Sequence, residues 1–581
     1  MTVTDWLEVL SLLVLLAIST PLLGNYMARV YANGPAPGDR VFLPVENFVY
    51  RICRIDPKSE QRWRTYLVSM LVWTLVGGLL TYLVLRVQGS LPGNPDHLPN
   101  VPEALSFNTA ISFMTNTNWQ NYAGESTMSQ LSQMLGLVWH QFISAAVGMA
   151  LAAAFIRALI RQRQNTLGNF WVDTIRSSTR ILLPISFVFA IVFMSQGVIE
   201  NFNSTTSVTT VAAQATHQTS NPALQQQVPG GPVAGMAAIE ALGDNGGGYF
   251  NANYAAPNEN PSPVTNVLLL WLMAMIPFGF GWTFGRMARS MRQAGVVLGV
   301  MTALFLVSLA FVVPLEAAGN PHITTAGVSQ AETAANVGGN LEGKDLRFGA
   351  AGSALNAATI TGTSTGGVNS AIESYTPIGG AVPLFNMMLG EVIPGGTGTG
   401  LYGLLIFVLI AVFIAGLMVG RTPMYLGKQI LASDMKLAAI YILVLPATVL
   451  VLAAISILVP AASASISTSG PHGLTEVVYA YTSAAHNNGS AFGGLSGNTT
   501  WYNVTLAIAM WAGRVFEIIP ALALAGSLVR KRTYAVTSGT LRTDTPLFAV
   551  MVAGVVLILV GLTYFPALAT GPLAEHFSGG F

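Results

Sequence analysis

The chain has 581 residues, 52% hydrophobic and 9% charged, with mean hydropathy +0.56. A soluble globular domain carries roughly a quarter of its residues as Asp, Glu, Lys and Arg, so this chain cannot coat a surface facing water, and lipid is its main solvent. That excludes a cytosolic enzyme, a secreted domain and a disordered scaffold; 26 basic against 25 acidic residues gives no bias towards nucleic acid, and the one cysteine, Cys53, allows no internal disulfide.

A membrane span requires about 20 mostly apolar residues. Ten stretches qualify, near 6–30, 65–87, 131–160, 178–199, 265–287, 293–314, 400–420, 436–460, 503–528 and 547–570. The first is too long for a secretory leader and lacks a basic start, so it reads as a retained helix. Of the 26 basic residues, 21 lie in five connections: Arg40 to Arg64, Arg157 to Arg180, Arg286 to Arg292, Arg421 to Lys436, and Arg530 to Arg542. Residues 200–264 and 461–502 hold no Lys or Arg. Positive loops stay cytoplasmic, which predicts both termini outside, and ten spans agree by requiring the termini to share a side.

Four of the outer connections share a design: a short helix-compatible run, then a polar tract of Thr, Ser, Asn and Gly, then a return. They are SFNTAISFMTNTNWQNYAGE (106–125), AIEALGDNGGGYFNAN (238–253), LNAATITGTSTGGVNS (355–370) and YAYTSAAHNNGSAFGG (479–494). Centred on Thr117, Asn245, Thr365 and Asn488, they recur at steps of 128, 120 and 123 residues. Turn chemistry explains one such loop but not the period. The predicted fold class is therefore an all-α polytopic membrane protein of ten transmembrane helices. Four span–pore loop–span repeats stand in pseudo-fourfold arrangement, with one extra helix at each end. The parse is 1–64 extra helix and loop, 65–160 repeat 1, 178–287 repeat 2, 293–420 repeat 3, 436–528 repeat 4 and 547–570 final helix.

Irregular backbone at membrane depth survives only where it lines a polar cavity or is buried in protein. Four tracts meeting on one axis would provide that cavity, with rings of carbonyls replacing the water around a monovalent cation. Each dipping helix would add the negative end of its dipole. Fourteen acids on the outer connections (Asp96, Glu103, Glu125, Glu200, Glu240, Asp244, Glu259, Glu316, Glu332, Glu342, Asp345, Glu373, Glu391 and Glu476) suggest a vestibule that concentrates cations. In the third connection, Glu391 leads into Pro394-Gly-Gly-Thr-Gly-Thr-Gly400, a gate or side exit beside the pore, or simply a linker to a late-starting helix. Arg514 and Glu517, three apart inside an apolar span, read first as a structural ion pair and second as neighbours of the ion path. Arg421 lies at a cytoplasmic span end, where positive-inside usage alone accounts for it. The sequence has no G-x-x-x-x-G-K-[ST] loop, no Asp-Lys-Thr-Gly phosphorylation site and no cytoplasmic connection long enough for a nucleotide domain. No catalytic site and no ATP site is expected on this chain, so any ATP-driven transport draws its energy from another polypeptide.

At these tracts the chain resembles the potassium-binding, channel-like A subunit of the bacterial Kdp pump, a P-type ATPase complex within the superfamily of potassium transporters. TNTNWQ (115–120), NGGGYFNAN (245–253), NNGSAFGGLS (487–496), EGKDLRFG (342–349), the run 400–428 and IIPALALAGSL (518–528) carry the likeness. The resemblance implies K⁺ as the transported ion and filter carbonyls on Asn116, Thr117 and Asn118; Asp244, Asn245 and Gly246; Ser364, Thr365 and Gly366; and Asn487, Asn488 and Gly489. It implies a filter-entrance role for Gln120 and an internal barrier or tunnel involving Glu391, Arg421 and Arg514. It further implies lateral delivery of the ion to an ATP-hydrolysing B subunit, with C and F subunits completing the complex in the bacterial inner membrane. Asp244 stands where the family has Thr, His486 where it has Asn, Thr365 where some members have Cys, and Glu517 has no expected counterpart. The alternatives are a stand-alone K⁺ channel or K⁺/Na⁺ symporter of the same superfamily, which the extra end helices disfavour, and a membrane scaffold without transport.

Overall fold

The computed structural model describes residues 2–578 except 33, 216–224, 334–335, 536 and 538. Among the described residues ten helices are long and apolar enough to cross a membrane: Val3–Tyr31, Trp63–Ser90, Ser132–Ile160, Phe170–Ser195, Pro263–Met287, Met291–Thr325, Thr399–Val419, Ala432–Leu458, Thr500–Arg530 and Pro546–Ser578. Their starts are fixed by local chemistry. Thr2 and Ser262 close capping boxes with Asp5 and Thr265, and Thr499 and Thr545 accept backbone N–H bonds at the heads of the ninth and tenth spans. Burial separates centre from rim. The apolar window of the third span is 94% buried, against 22% for the first and 28% for the last, so the two extra helices lie on the outside. The third span can be central because alanine and glycine fill it from Ala145 to Ala154 and let neighbours approach closely.

Between consecutive spans sit four short helices: Glu103–Met114, Val233–Leu242, Gly349–Gly362 and Gly470–Ala485. At about 1.5 Å per residue they are too short to cross a core of about 30 Å, yet they are mostly buried. Each hands over to one of the polar tracts. The chain is thus four span–loop–span repeats with an added helix at each end. In the third repeat the return is split into a helix Pro377–Met388, an irregular segment 389–398 and the span Thr399–Val419.

The five basic connections meet on one face. Arg161 pairs with Glu60 at 2.8 Å and Arg180 with Glu46; Arg163 N–H donates to Lys531 O at 3.1 Å; Arg292 pairs with Asp544 at 3.7 Å. Lys428 Nζ donates to the carbonyls of Ala158 and Leu528 at 2.7 and 2.8 Å, closing the ends of two spans.

Two elements depart from expectation. The first basic connection contains an amphipathic helix, Asp39–Ile52, with Val41, Val45, Phe48 and Ile52 exposed along one side while Glu46 is buried against Arg180. That apolar stripe suits the membrane interface. The second outer connection forms an antiparallel hairpin, Thr206–Thr209 with Gln225–Val228.

Candidate functional site: a ring of four tracts

The four short helices end in the same way. The N–H groups of Thr117, Asn245, Thr365 and Asn488 donate to the carbonyls of Ser112, Glu240, Ile360 and Ser483, each five residues back, at 3.0, 3.0, 2.9 and 2.8 Å. The residue before each centre turns left-handed: Asn116, Asp244, Ser364 and Asn487 have φ of 66°, 48°, 64° and 58°. Asn and Asp tolerate this region better than other residues with a side chain. The repeat read from the sequence is therefore present at the level of single hydrogen bonds.

The tracts contact one another in chain order and close on themselves. Asn116 Nδ2 donates to Asp244 O at 2.7 Å, Gly366 N to Asn245 O at 3.3 Å and Asn487 Nδ2 to Thr117 Oγ1 at 3.0 Å, while Ser364 Oγ lies 3.4 Å from Asn487 O. Backbone approaches so closely that a Cβ on Gly246 would collide with Gly366, and one on Gly489 with the Thr117 carbonyl. Gly246 and Gly489 also hold φ of 104° and 94°, so both positions require glycine. Side chains brace the ring from behind. Thr115 and Thr363 bridge to Thr117 and Thr365 through their hydroxyls at 2.8 and 2.9 Å, whereas Asn245 and Asn488 donate to Gln141 O and Ile360 O.

All twelve residues of the ring are buried. The carbonyls of Asp244 and Asn245 accept the bonds just named, and that of Asn487 faces Ser364 Oγ. Among the described residues those of Asn116, Thr117, Asn118, Gly246, Ser364, Thr365, Gly366, Asn488 and Gly489 accept none. Buried carbonyls are ordinarily paired, and this many oxygens left open in one place form a site of partial negative charge suited to a cation. Gln120 sits at its edge, half-buried, donating to Gly248 O at 2.9 Å and so linking the first tract to the second.

The departures sort themselves by direction. The Asp244 side chain is fully buried, accepting from Thr397 Oγ1 at 2.6 Å and Thr365 Oγ1 at 3.3 Å. His486 turns its ring towards the last span, 3.1 Å from Tyr564 Oη. The segment 389–398 packs against the ring: Gly395 N–H donates to Gly362 O at 2.7 Å, and Ser364 Oγ donates to Glu391. Arg514 reaches the same place, its Nη2 3.7 Å from the Cβ position of Gly148, whose neighbour is the Thr397 carbonyl.

Three expectations change. Arg514 and Glu517 form no ion pair among the described residues; three positions along a helix separates them by about 60°, and Glu517 lines a side cavity of about 30 Å³ with Gly390, His486 and Tyr564. Arg421 is exposed on the basic face, with its Nη1 on Thr540 O at 3.4 Å, a full span away from the 389–398 segment. Of the acids expected in a vestibule, Glu240, Asp244, Glu259, Glu316, Glu391 and Glu476 are buried, Glu316 paired with Lys344 at 2.9 Å. Carboxylates enclosed by protein do not enrich cations in solution, which leaves that role to Asp96, Glu103, Glu125, Glu200, Glu332, Glu342, Asp345 and Glu373.

Sequence reasoning missed Ser144, whose hydroxyl lies 2.5 Å from Asn116 Oδ1 and 3.2 Å from Asn245 Oδ1, and Thr397. The cue for Ser144 was its spacing of four from Gly148, a small-residue face on an apolar span. Thr397 offered none beyond its place among glycines.

Residues 10–577 match the family described as potassium-transporting ATPase A subunit, KdpA. The potassium-transporting ATPase potassium-binding subunit of Mycobacterium tuberculosis H37Rv is 51% identical over 579 residues, covering 100% of both chains. Those of Mesorhizobium japonicum and Acidobacterium capsulatum are 47% and 48% identical, covering 100% and 99% of this chain and 99% and 98% of theirs. Among solved structures, the potassium transporter TrkH from Vibrio parahaemolyticus superimposes with TM-score 0.48 at 16% identity, over 90% of this chain and 98% of that one. A match along nearly the whole length, at half identity to curated members, means that this chain belongs to the family of potassium-transporting ATPase A subunits.

Proposed function

We propose that the chain is the potassium-binding and translocating subunit of an ATP-driven uptake pump, selecting K⁺ in the four-tract ring and passing it through an intramembrane route to a separate ATP-hydrolysing subunit. The observation that carries this reading is the set of buried carbonyls without hydrogen-bond partners on four tracts that contact one another in a closed ring. Carbonyl rings replace the hydration shell of a large monovalent ion, whereas Mg²⁺ and Ca²⁺ sites are built on carboxylates. The names of the relatives support K⁺ as cargo and an ATPase as partner. The likeness to the Kdp family extends that to B, C and F subunits, a bacterial inner membrane and termini on the periplasmic side.

The test is ATP-dependent uptake by the complex recovered with the tagged chain. An Asp-Lys-Thr-Gly-bearing partner should co-purify. Gly246→Asp and Gly489→Asp, which place a side chain where backbone already fills the space, should each reduce discrimination of K⁺ from Rb⁺ and Na⁺. Unchanged selectivity in both variants would refute the assignment of the ring.

A further inference from the structure

The four residues that open the tracts share one backbone conformation but not one task. Asn116 and Asn487 use their amides within the ring, on Asp244 O and Thr117 Oγ1. Asp244 and Ser364 reach out of it, to Thr397 and Glu391. Both targets lie in the segment 389–398, LGEVIPGGTG, where Glu391 and Thr397 are the only polar side chains. Each of the segment's two polar side chains is thus tied to a tract-opening residue of a different repeat, Ser364 from the third and Asp244 from the second.

What remains of the segment is glycine, proline and aliphatic residues. Gly390, Gly395 and Gly398 hold φ of 80°, 85° and 93°, conformations that glycine enters and leaves without steric cost. The segment follows the split return of the third repeat and packs against Gly362, at the carbonyl end of the third short helix, and against Gly148 of the third span. It therefore lies beneath the end of the ring into which the short helices run. Asp244 is the one ionisable side chain among the four tract-opening positions, and its carboxylate is engaged on both oxygens, by Thr397 and by Thr365.

We infer that the Asp244 carboxylate is a positioning group, a latch that holds Thr397 and so keeps the glycine-dense segment closed across the inner end of the ring. The inference rests on the reading of the ring as the ion path. It assigns to Asp244 a side-chain role separate from its backbone carbonyl: the carbonyl belongs to the ring and the carboxylate to the closure beneath it. A buried hydrogen bond shifts a two-state equilibrium by up to about tenfold, so losing it should change the open fraction of the segment measurably.

The experiment reconstitutes the full chain alone in ATP-free liposomes and follows ⁸⁶Rb⁺ efflux, with K⁺-specific thermal stabilisation as a separate report on the ring. Thr397→Val, nearly isosteric, should raise passive efflux by on the order of tenfold and leave the K⁺ stabilisation in place. Thr397→Ser, which keeps the hydroxyl, should restore tightness. Asp244→Ala should leak as Thr397→Val does, and the double variant no more than either single one, because the two side chains form one bond. Efflux at the parental level in Thr397→Val would overturn the latch, as would additive leaks in the double variant. Loss of K⁺ stabilisation in Thr397→Val would place Thr397 in the ring and overturn it equally. Absence of K⁺ stabilisation in the parent chain would instead remove the reading of the ring itself.

Discussion

Arg157 and Asp173 lie at the basic face, both almost wholly enclosed. Asp173 accepts two guanidinium bonds at 2.6 and 2.8 Å and a third from Tyr66 Oη at 3.0 Å. With both carboxylate oxygens so engaged, removing one partner strands a charge in protein. Asp173→Ala should cost about 3–5 kcal/mol, read as a loss of melting temperature in detergent, whereas Glu60→Ala at the exposed pair with Arg161 should cost less than about 1 kcal/mol. At this scale the sequence was partly legible. The centres Thr117, Asn245, Thr365 and Asn488 share one backbone hydrogen bond and were legible because polar residues are rare in such apolar surroundings and their spacing stands out. The partners of individual charges were not legible: Arg514 and Glu517 share a helix face, but which neighbour each meets depends on helices several hundred residues away in the chain.

Helices are where hydropathy speaks most clearly, since apolar length alone separates a span from a short helix that turns back. The elements it overlooked are those whose pattern is weak. In the amphipathic helix Asp39–Ile52 the basic residues Arg40 and Arg51 mark a cytoplasmic loop more strongly than the four-residue apolar stripe marks a helix, and the hairpin around Thr206 and Gln225 is polar on both faces. Docking of the last helical turns provides a test at this scale. His472, at the head of the fourth short helix, is held 3.0 Å from Glu575 near the C-terminus, and ligand-capable atoms of Glu373, His472 and Glu476 lie within 4.8 Å of one another. Burial disfavours the charged ring, but the Glu575 hydrogen bond and charge, with Glu476 and Glu373, outweigh it and hold His472 above the ordinary histidine value. A group raised in the folded state stabilises fully below the unfolded value of about 6.5 and loses that contribution as pH climbs through the folded value. Melting temperature should therefore fall with rising pH across that window, and His472→Gln should flatten the slope.

Taken whole, the molecule closes a ring whose four arcs come from residues 116–118, 244–246, 364–366 and 487–489, so a bound ion would bridge segments from every repeat. Such an ion acts as a folding ligand: at one hundred times its dissociation constant it would add about 2.7 kcal/mol. K⁺ should thus raise the unfolding temperature of the entire chain where Na⁺ at equal ionic strength does not, and Gly489→Asp should abolish the difference. The overall architecture was legible because burial, charge and period all pointed to it. The split return of the third repeat was legible only as glycine content, since no local pattern says beneath what a glycine-dense segment will lie.

Because one polypeptide supplies every arc, the symmetry is approximate and each quadrant has its own codons. In a homotetrameric pore a single substitution alters four seats at once. Here Asn116, Asp244, Ser364 and Asn487 can be edited one seat at a time, so selection is free to give each quadrant a separate duty without surrendering the others.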